Sequence, residues 1–148
     1  MSNAQNGARI KVFGGNPSPT STAGGGTGYV RNITFEDFRN TNVDYPIYIN
    51  QCYSTPANVC AEYPSKLSIS DVHYIDVTGS SSGAEKTLVV DIECSTQCQN
   101  ITAVGTDLRP PNGTASYICS NVASAAELDF PCNTSSSVTK RSEVEWHK

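Results

Sequence analysis

Arg9 and Lys11 stand two apart in the stretch QNGARIKVF. Read as a strand, that spacing puts both cations on one face, roughly 6–7 Å apart, because successive strand side chains point to opposite faces. Ile10 points the other way, with Ala8 and Val12 expected out of register with it. A planar guanidinium fork beside a compact ammonium suits a carboxylate. The plainer reading is two solvated surface cations. The rest of the chain offers no basic field: 10 Lys and Arg against 14 Asp and Glu give a net charge of −4. That balance argues against a nucleic-acid partner, so any anion binding must be local. No apolar run is long enough to suggest a membrane span.

Six cysteines, Cys52, Cys60, Cys94, Cys98, Cys119 and Cys132, form an even set that suggests disulfides. Neighbouring pairs 52–60, 94–98 and 119–132 would each close a local loop. A metal site is not expected: there is no Cys-x-x-Cys, and His73 and His147 lie far apart. No cofactor is expected either. Disulfides point to an oxidising, extracellular setting. Sequons at Asn32, Asn100, Asn112 and Asn133 agree with it. The opening residues MSNAQNGARI nevertheless lack the basic start and apolar run of a signal peptide.

The elements that must position these residues read as short strands. Apolar residues alternate in bursts, at YVRNITFEDF, YPIYINQCY, KLSISDVHYIDVTG, TLVVDIEC, NITAVGTDL and ASYICSNV, and no segment of useful length has a helical period. The bursts recur as a strand–turn–strand unit, with Ile33, Ile69 and Ile101 at intervals of 36 and 32 residues. Such a repeat predicts the stacked coils of a parallel β-helix. An antiparallel sandwich is the alternative. It is weakened because NGA at 6 and NGT at 112 do not join matched alternating strands. One unit is expected over 1–133. It carries a Gly/Pro/Ser-rich mobile loop at 14–28, and a polar tail at 134–148 is expected to be disordered.

NGARIKVFGG, GGGTGYVRNITF, PIYINQCY and AEYPSKLSISDV together resemble the C-terminal part of fungal polygalacturonases of glycoside hydrolase family 28, most of all the exo-acting branch. The resemblance covers about residues 3 to 133. It implies a right-handed parallel β-helix truncated to its last three or so coils. It also implies a parent enzyme, a monomer, that hydrolyses terminal α-1,4-galacturonate from pectin with inversion. On this resemblance Arg9 and Lys11 hold the carboxylate of a galacturonate unit, and Tyr53 packs against the sugar beside the scissile bond.

The family's Asn-Thr-Asp, Asp-Asp and Gly-His-Gly motifs precede its Arg-Ile-Lys strand, and none of the three occurs in this sequence. Inverting glycosidases need a carboxylic acid and a carboxylate base about 6.5–9.5 Å apart. Asp71, Asp76 and Asp91 fall in later coils and Glu36 and Asp37 on a strand edge, and all five read as solvated or turn-capping groups. No catalytic residue is therefore expected in this chain, which reads as an inactive fragment that keeps substrate-binding residues for pectin or oligogalacturonate. Three alternatives stand beside it: a non-catalytic pectin-binding module, a structural β-solenoid, and a piece of a rhamnogalacturonan-directed exo-hydrolase. An open strand edge at Arg9 would leave the fold marginally stable and prone to aggregate.

Overall fold

A computed structural model describes residues 1–18, 24–123 and 125–132. The sequon at Asn133 and the tail at 134–148 lie outside the described residues. The chain winds as a right-handed parallel β-helix. Strands β1 (Asn6–Phe13), β4 (Tyr45–Tyr53), β7 (Leu88–Val104) and β9 (Ser116–Val122) stack in parallel to form one wall. Strands β2 (Gly28–Glu36) and β5 (Leu67–Ile75) and the second half of β7 form another. The short strands β3 (Arg39–Val43), β6 (Thr78–Ser81) and β8 (Asp107–Arg109) form the third.

Three departures from the sequence reading have simple causes. The third wall was not anticipated, because three- to five-residue strands carry too little alternation to be read. TLVVDIEC and the first half of NITAVGTDL appear as separate bursts, yet both fall on the single 17-residue strand β7, which turns the corner between two walls. A short helix, α1 (Ala57–Glu62), follows Tyr53 and is too brief to show a period.

The repeat register also differs from the one expected. Ile33 pairs with Val72, and Val72 with Ile101, whereas Ile69 sits opposite Val30. What recurs once per coil is a left-handed residue just before these positions: Asn32, Asp71 and Asn100, with φ of 57°, 54° and 51°. Asn and Asp tolerate this region better than other residues with a Cβ. Asn100 Nδ2 donates to Asp71 Oδ1 at 2.7 Å, linking two coils. A second such column is Asp37, Asp76 and Gly105. At Gly105, with φ 69°, an added Cβ would press on Asp76 Oδ1 and force that side chain to move, which glycine avoids.

The core is a set of ladders running down the coil axis. Ala8, Ile47, Val90 and Tyr117 stack in register, as do Ile10, Ile49, Ile92 and Cys119. Ala8, Ile10 and Val12 are buried together, so Ala8 and Val12 share the inward face of Ile10 rather than falling out of register. Strict alternation along β1 produces this, and it drives Arg9 and Lys11 outward.

Disulfides join Cys52–Cys60, Cys94–Cys98 and Cys119–Cys132. The last of these holds Leu128 and Phe130 over one end of the core, where Phe130 stacks on Tyr117 at 5.1 Å. At the other end residues 1–5 run beside β3, bonded from Asn3 N to Thr41 O and from Asp44 N to Ala4 O. Among the described residues β1 and β2 are edge strands. Asp91 is buried on β7, which corrects its reading as a solvated carboxylate: it sits mid-strand, with coils on both sides.

Candidate functional site

The site is built on the outer face of β1 and β4. Parallel register sets Arg9 beside Tyr48 and Lys11 beside Asn50. Phe13 is level with Tyr53 after a slip in the ladder. The backbone fixes these rows, because the inward residues Ala8 and Ile10 of β1 and Ile47 and Ile49 of β4 are held in the core ladders beneath them.

Arg9 lies between two rings. Its guanidinium carbon is 4.9 Å from the Tyr48 ring centre and 5.4 Å from that of Tyr53. Lys11 Nζ is 4.4 Å from the same Tyr53 ring. Ring faces hold cations through their quadrupoles without neutralising them, so both positive charges persist. Arg9 Nε is buried and has no hydrogen-bond partner among the described residues. Lys11 is exposed.

The rings are themselves positioned. Tyr45 stacks on Tyr48 with centres 4.4 Å apart and donates from its hydroxyl to Glu85 Oε1 at 2.7 Å. Asn50 Nδ2 donates to the Tyr48 hydroxyl at 3.0 Å. The Tyr48 phenol is pushed up to about 12, first by burial and next by the negative charge of Asp91; the Asn50 hydrogen bond and Arg9 pull the other way. Tyr48 therefore stays neutral throughout the ordinary pH range and presents an uncharged ring to the guanidinium.

Tyr53 ends β4 at the Cys52–Cys60 disulfide. Its ring meets Phe13 edge-on at 5.3 Å. Below it, Thr55 Oγ1 donates to Tyr53 O at 3.0 Å and accepts from Gly14 N at 3.2 Å. Gly15 N donates to Tyr63 O at 2.8 Å. The glycine-rich segment thus begins buried and tied to the loop that follows β4.

Charge is graded across this face. The edge strand carries Arg9 and Lys11, the next carries Tyr48 and Asn50, and β7 carries Asp91 and Glu93 in the same two rows. The arrangement brings together Arg9, Lys11 and Tyr53, the three residues singled out from the sequence. It adds Tyr48, which the sequence reading missed. The signal for Tyr48 was available only through register, since Tyr48 lies 39 residues after Arg9 and meets it by parallel stacking. Chemically, the face can receive a carboxylate at the Arg9 edge and a flat sugar face on the rings. Among the described residues no group of His, Cys, Asp and Glu could hold a metal ion.

The sequons at Asn32, Asn100 and Asn112 lie apart from this face, and all three asparagines are exposed. No helix among the described residues is long and apolar enough to cross a membrane.

The family model described as Glycosyl hydrolases family 28 matches residues 1–129. "Probable exopolygalacturonase X" of Aspergillus fumigatus is 41% identical over 138 residues, which is 89% of this chain and 32% of that protein. "Exopolygalacturonase X-1" of Emericella nidulans is 44% identical over 128 residues, 82% of this chain and 30% of that protein. The crystal structure of endo-xylogalacturonan hydrolase from Aspergillus tubingensis superposes with a TM-score of 0.78 at 29% identity, covering 90% of this chain and 34% of its own. The chain thus spans about a third of the length of these relatives.

Proposed function

Since this chain belongs to glycosyl hydrolases family 28, we propose that it supplies the substrate-binding end of a galacturonan exo-hydrolase. The reaction in view is release of terminal α-1,4-galacturonate from pectin with inversion, as the family resemblance implies; the names of the exopolygalacturonase relatives support the exo mode and the polygalacturonate substrate. Arg9 pairs its planar fork with a galacturonate carboxylate. Lys11 adds a second positive charge on the exposed side, and Tyr53 carries the sugar ring. Tyr48 supports the guanidinium, whose carbon lies 4.9 Å from its ring centre.

One observation carries this reading: the Arg9 guanidinium lies over the Tyr48 and Tyr53 rings with Lys11 over the same Tyr53 ring, and no carboxylate among the described residues pairs with either cation. A carboxylate arriving at this face meets a planar fork and a second positive charge. The rings on either side fix the fork before the ligand arrives, so little side-chain entropy is lost on binding.

The chain's 148 residues contain none of the motifs that provide the family's acid and base. Binding without hydrolysis is therefore the expected behaviour of this chain by itself, and a non-catalytic pectin-binding role follows from the same face. A rhamnogalacturonan-directed parent would use the same carboxylate contact. The three disulfides support an extracellular location for the protein, with glycans on Asn32, Asn100 and Asn112.

The test is calorimetric titration of trigalacturonate into the wild-type chain, Arg9→Ala and Arg31→Ala, with a reducing-sugar assay alongside. Affinity of about millimolar or weaker is expected for the wild type. Loss of Arg9 should weaken it about tenfold, or about 1.4 kcal/mol, and loss of Arg31 should leave it unchanged. Equal loss in both variants would sink the assignment, and sugar release by the wild-type chain would overturn the binding-only reading.

A further inference from the structure

Beside the Arg9 face, at the C-terminal ends of β1 and β4, the surface forms a half-open cavity lined by Phe13, Asn16, Pro17, Thr55, Pro56 and Val59, with Gly14, Gly15 and Ser54 completing it. It is continuous with the cationic face through one aromatic contact, the edge of Phe13 on Tyr53 at 5.3 Å. Phe13 follows Arg9 and Lys11 on the outward face of β1 and is 45% exposed.

The chemistry of the two neighbours is opposite. The Arg9 and Lys11 side is cationic and aromatic. Among the described residues the cavity has no charged side chain in its lining, and its apolar surface comes from Phe13, Pro17, Pro56 and Val59. It is also preformed. The Cys52–Cys60 disulfide ties α1, which carries Val59, to the end of β4. Gly14 N donates to Thr55 Oγ1 at 3.2 Å, which joins the two walls.

We propose that this cavity is a specificity subsite for a methyl-esterified galacturonate unit next to the one whose free carboxylate Arg9 holds. The inference rests on the carboxylate-binding reading of Arg9. A bare carboxylate in this lining would lose water and gain no cation. A methyl ester carries no charge, can place its methyl group against Phe13, Pro56 and Val59, and loses only exposed apolar area. The subsite therefore selects substrates by pattern: one free acid at Arg9, one neutral neighbour in the cavity.

The experiment compares trigalacturonate with its mono-methyl esters for binding to the 148-residue chain. The ester placed to reach the cavity should bind about threefold to fivefold tighter, the gain expected for burying one methyl group. Val59→Lys adds a cation to the lining, and so does Pro56→Lys at an exposed position that the fold tolerates more readily. Each should cancel or invert the preference while trigalacturonate remains bound through Arg9. If trigalacturonate binds in an Arg9-dependent manner but no ester binds tighter, the subsite is disproved and the carboxylate site stands. An ester preference untouched by both lysine variants also disproves it. If trigalacturonate does not bind at all, both readings fall together.

Discussion

Two outer walls of the same β-helix can be set side by side. The wall of β1 and β4 carries Arg9, Lys11, Tyr48 and Tyr53. The wall of β2, β5 and the second half of β7 carries Arg31, His73 and a row of Ser, Thr and Gln. Both walls rest on one core and both contain an arginine over a tyrosine, since Arg31 lies 4.3 Å from the Tyr29 ring centre. Their polar groups end differently. On the second wall His73 Nδ1 meets Thr102 Oγ1 at 2.6 Å. Arg31 and Tyr29 are exposed, so water completes their bonding. On the first wall a buried guanidinium nitrogen has no partner. A cation over a ring is thus no sign of function. What separates the two walls is convergence: on the first, two cations and two rings meet on one face.

The sharpest way to break this comparison is to remove what the walls share. Ile49 is fully buried, between Ile10 and Ile92 in the core ladder. Ile49→Ala should cost about 2–5 kcal/mol in denaturant unfolding, with both walls lost in one transition. Separate transitions for Tyr29 and Tyr53 would show that the walls are independent. A narrower change is Cys52→Ala with Cys60→Ala, which opens a closed loop at a cost of about 2.5 kcal/mol. Galacturonate affinity should fall with it, while amide signals around Arg31 and His73 hold their positions. If those signals move as much as Tyr53, the disulfide does not act locally.

Smaller effects sharpen the same contrast. Tyr74 is fully buried, stacked on Phe35 at 5.4 Å, and its hydroxyl has no partner among the described residues. Burial pushes its phenol strongly up. This orphan faces a packed interior, where no ligand reaches it, so Tyr74→Phe should raise stability by about 1 kcal/mol without touching galacturonate binding. A loss of binding would mean that buried orphans do not distinguish interior from groove. The mildest effect concerns pH. Tyr48 is raised from 10.0 to about 12, so the folded state holds that proton more tightly than the unfolded chain. Its contribution is whole below pH 10 and is lost as pH climbs through 12. Tyr48→Phe should flatten that part of the stability profile, and an unchanged slope would assign it elsewhere.

How much of this was legible in the sequence follows from the range of each signal. Alternation at Arg9, Ile10 and Lys11 is local, so the outward cations could be read directly. The inward partnership of Ala8, Ile10 and Val12 obeys the same rule and was misread. The coil register was misplaced at Ile69 because apolar residues recur at several offsets, while the left-handed Asn32, Asp71 and Asn100 mark it unambiguously. Tyr48 and the buried Asp91 reach the site through stacking of distant segments, and no local pattern reports stacking. The cavity beside Phe13 depends on α1 and the glycine-rich segment folding against each other, which composition alone does not convey.

Residue-resolved NMR titration of the wild-type chain with digalacturonate addresses the central claim most directly. Signals of Arg9, Lys11, Tyr48 and Tyr53 should shift saturably, and added salt should weaken the effect, while Arg31 and His73 stay still. Shifts centred on Arg31 and His73, or a silent Arg9 wall in a chain that is folded, would contradict the account.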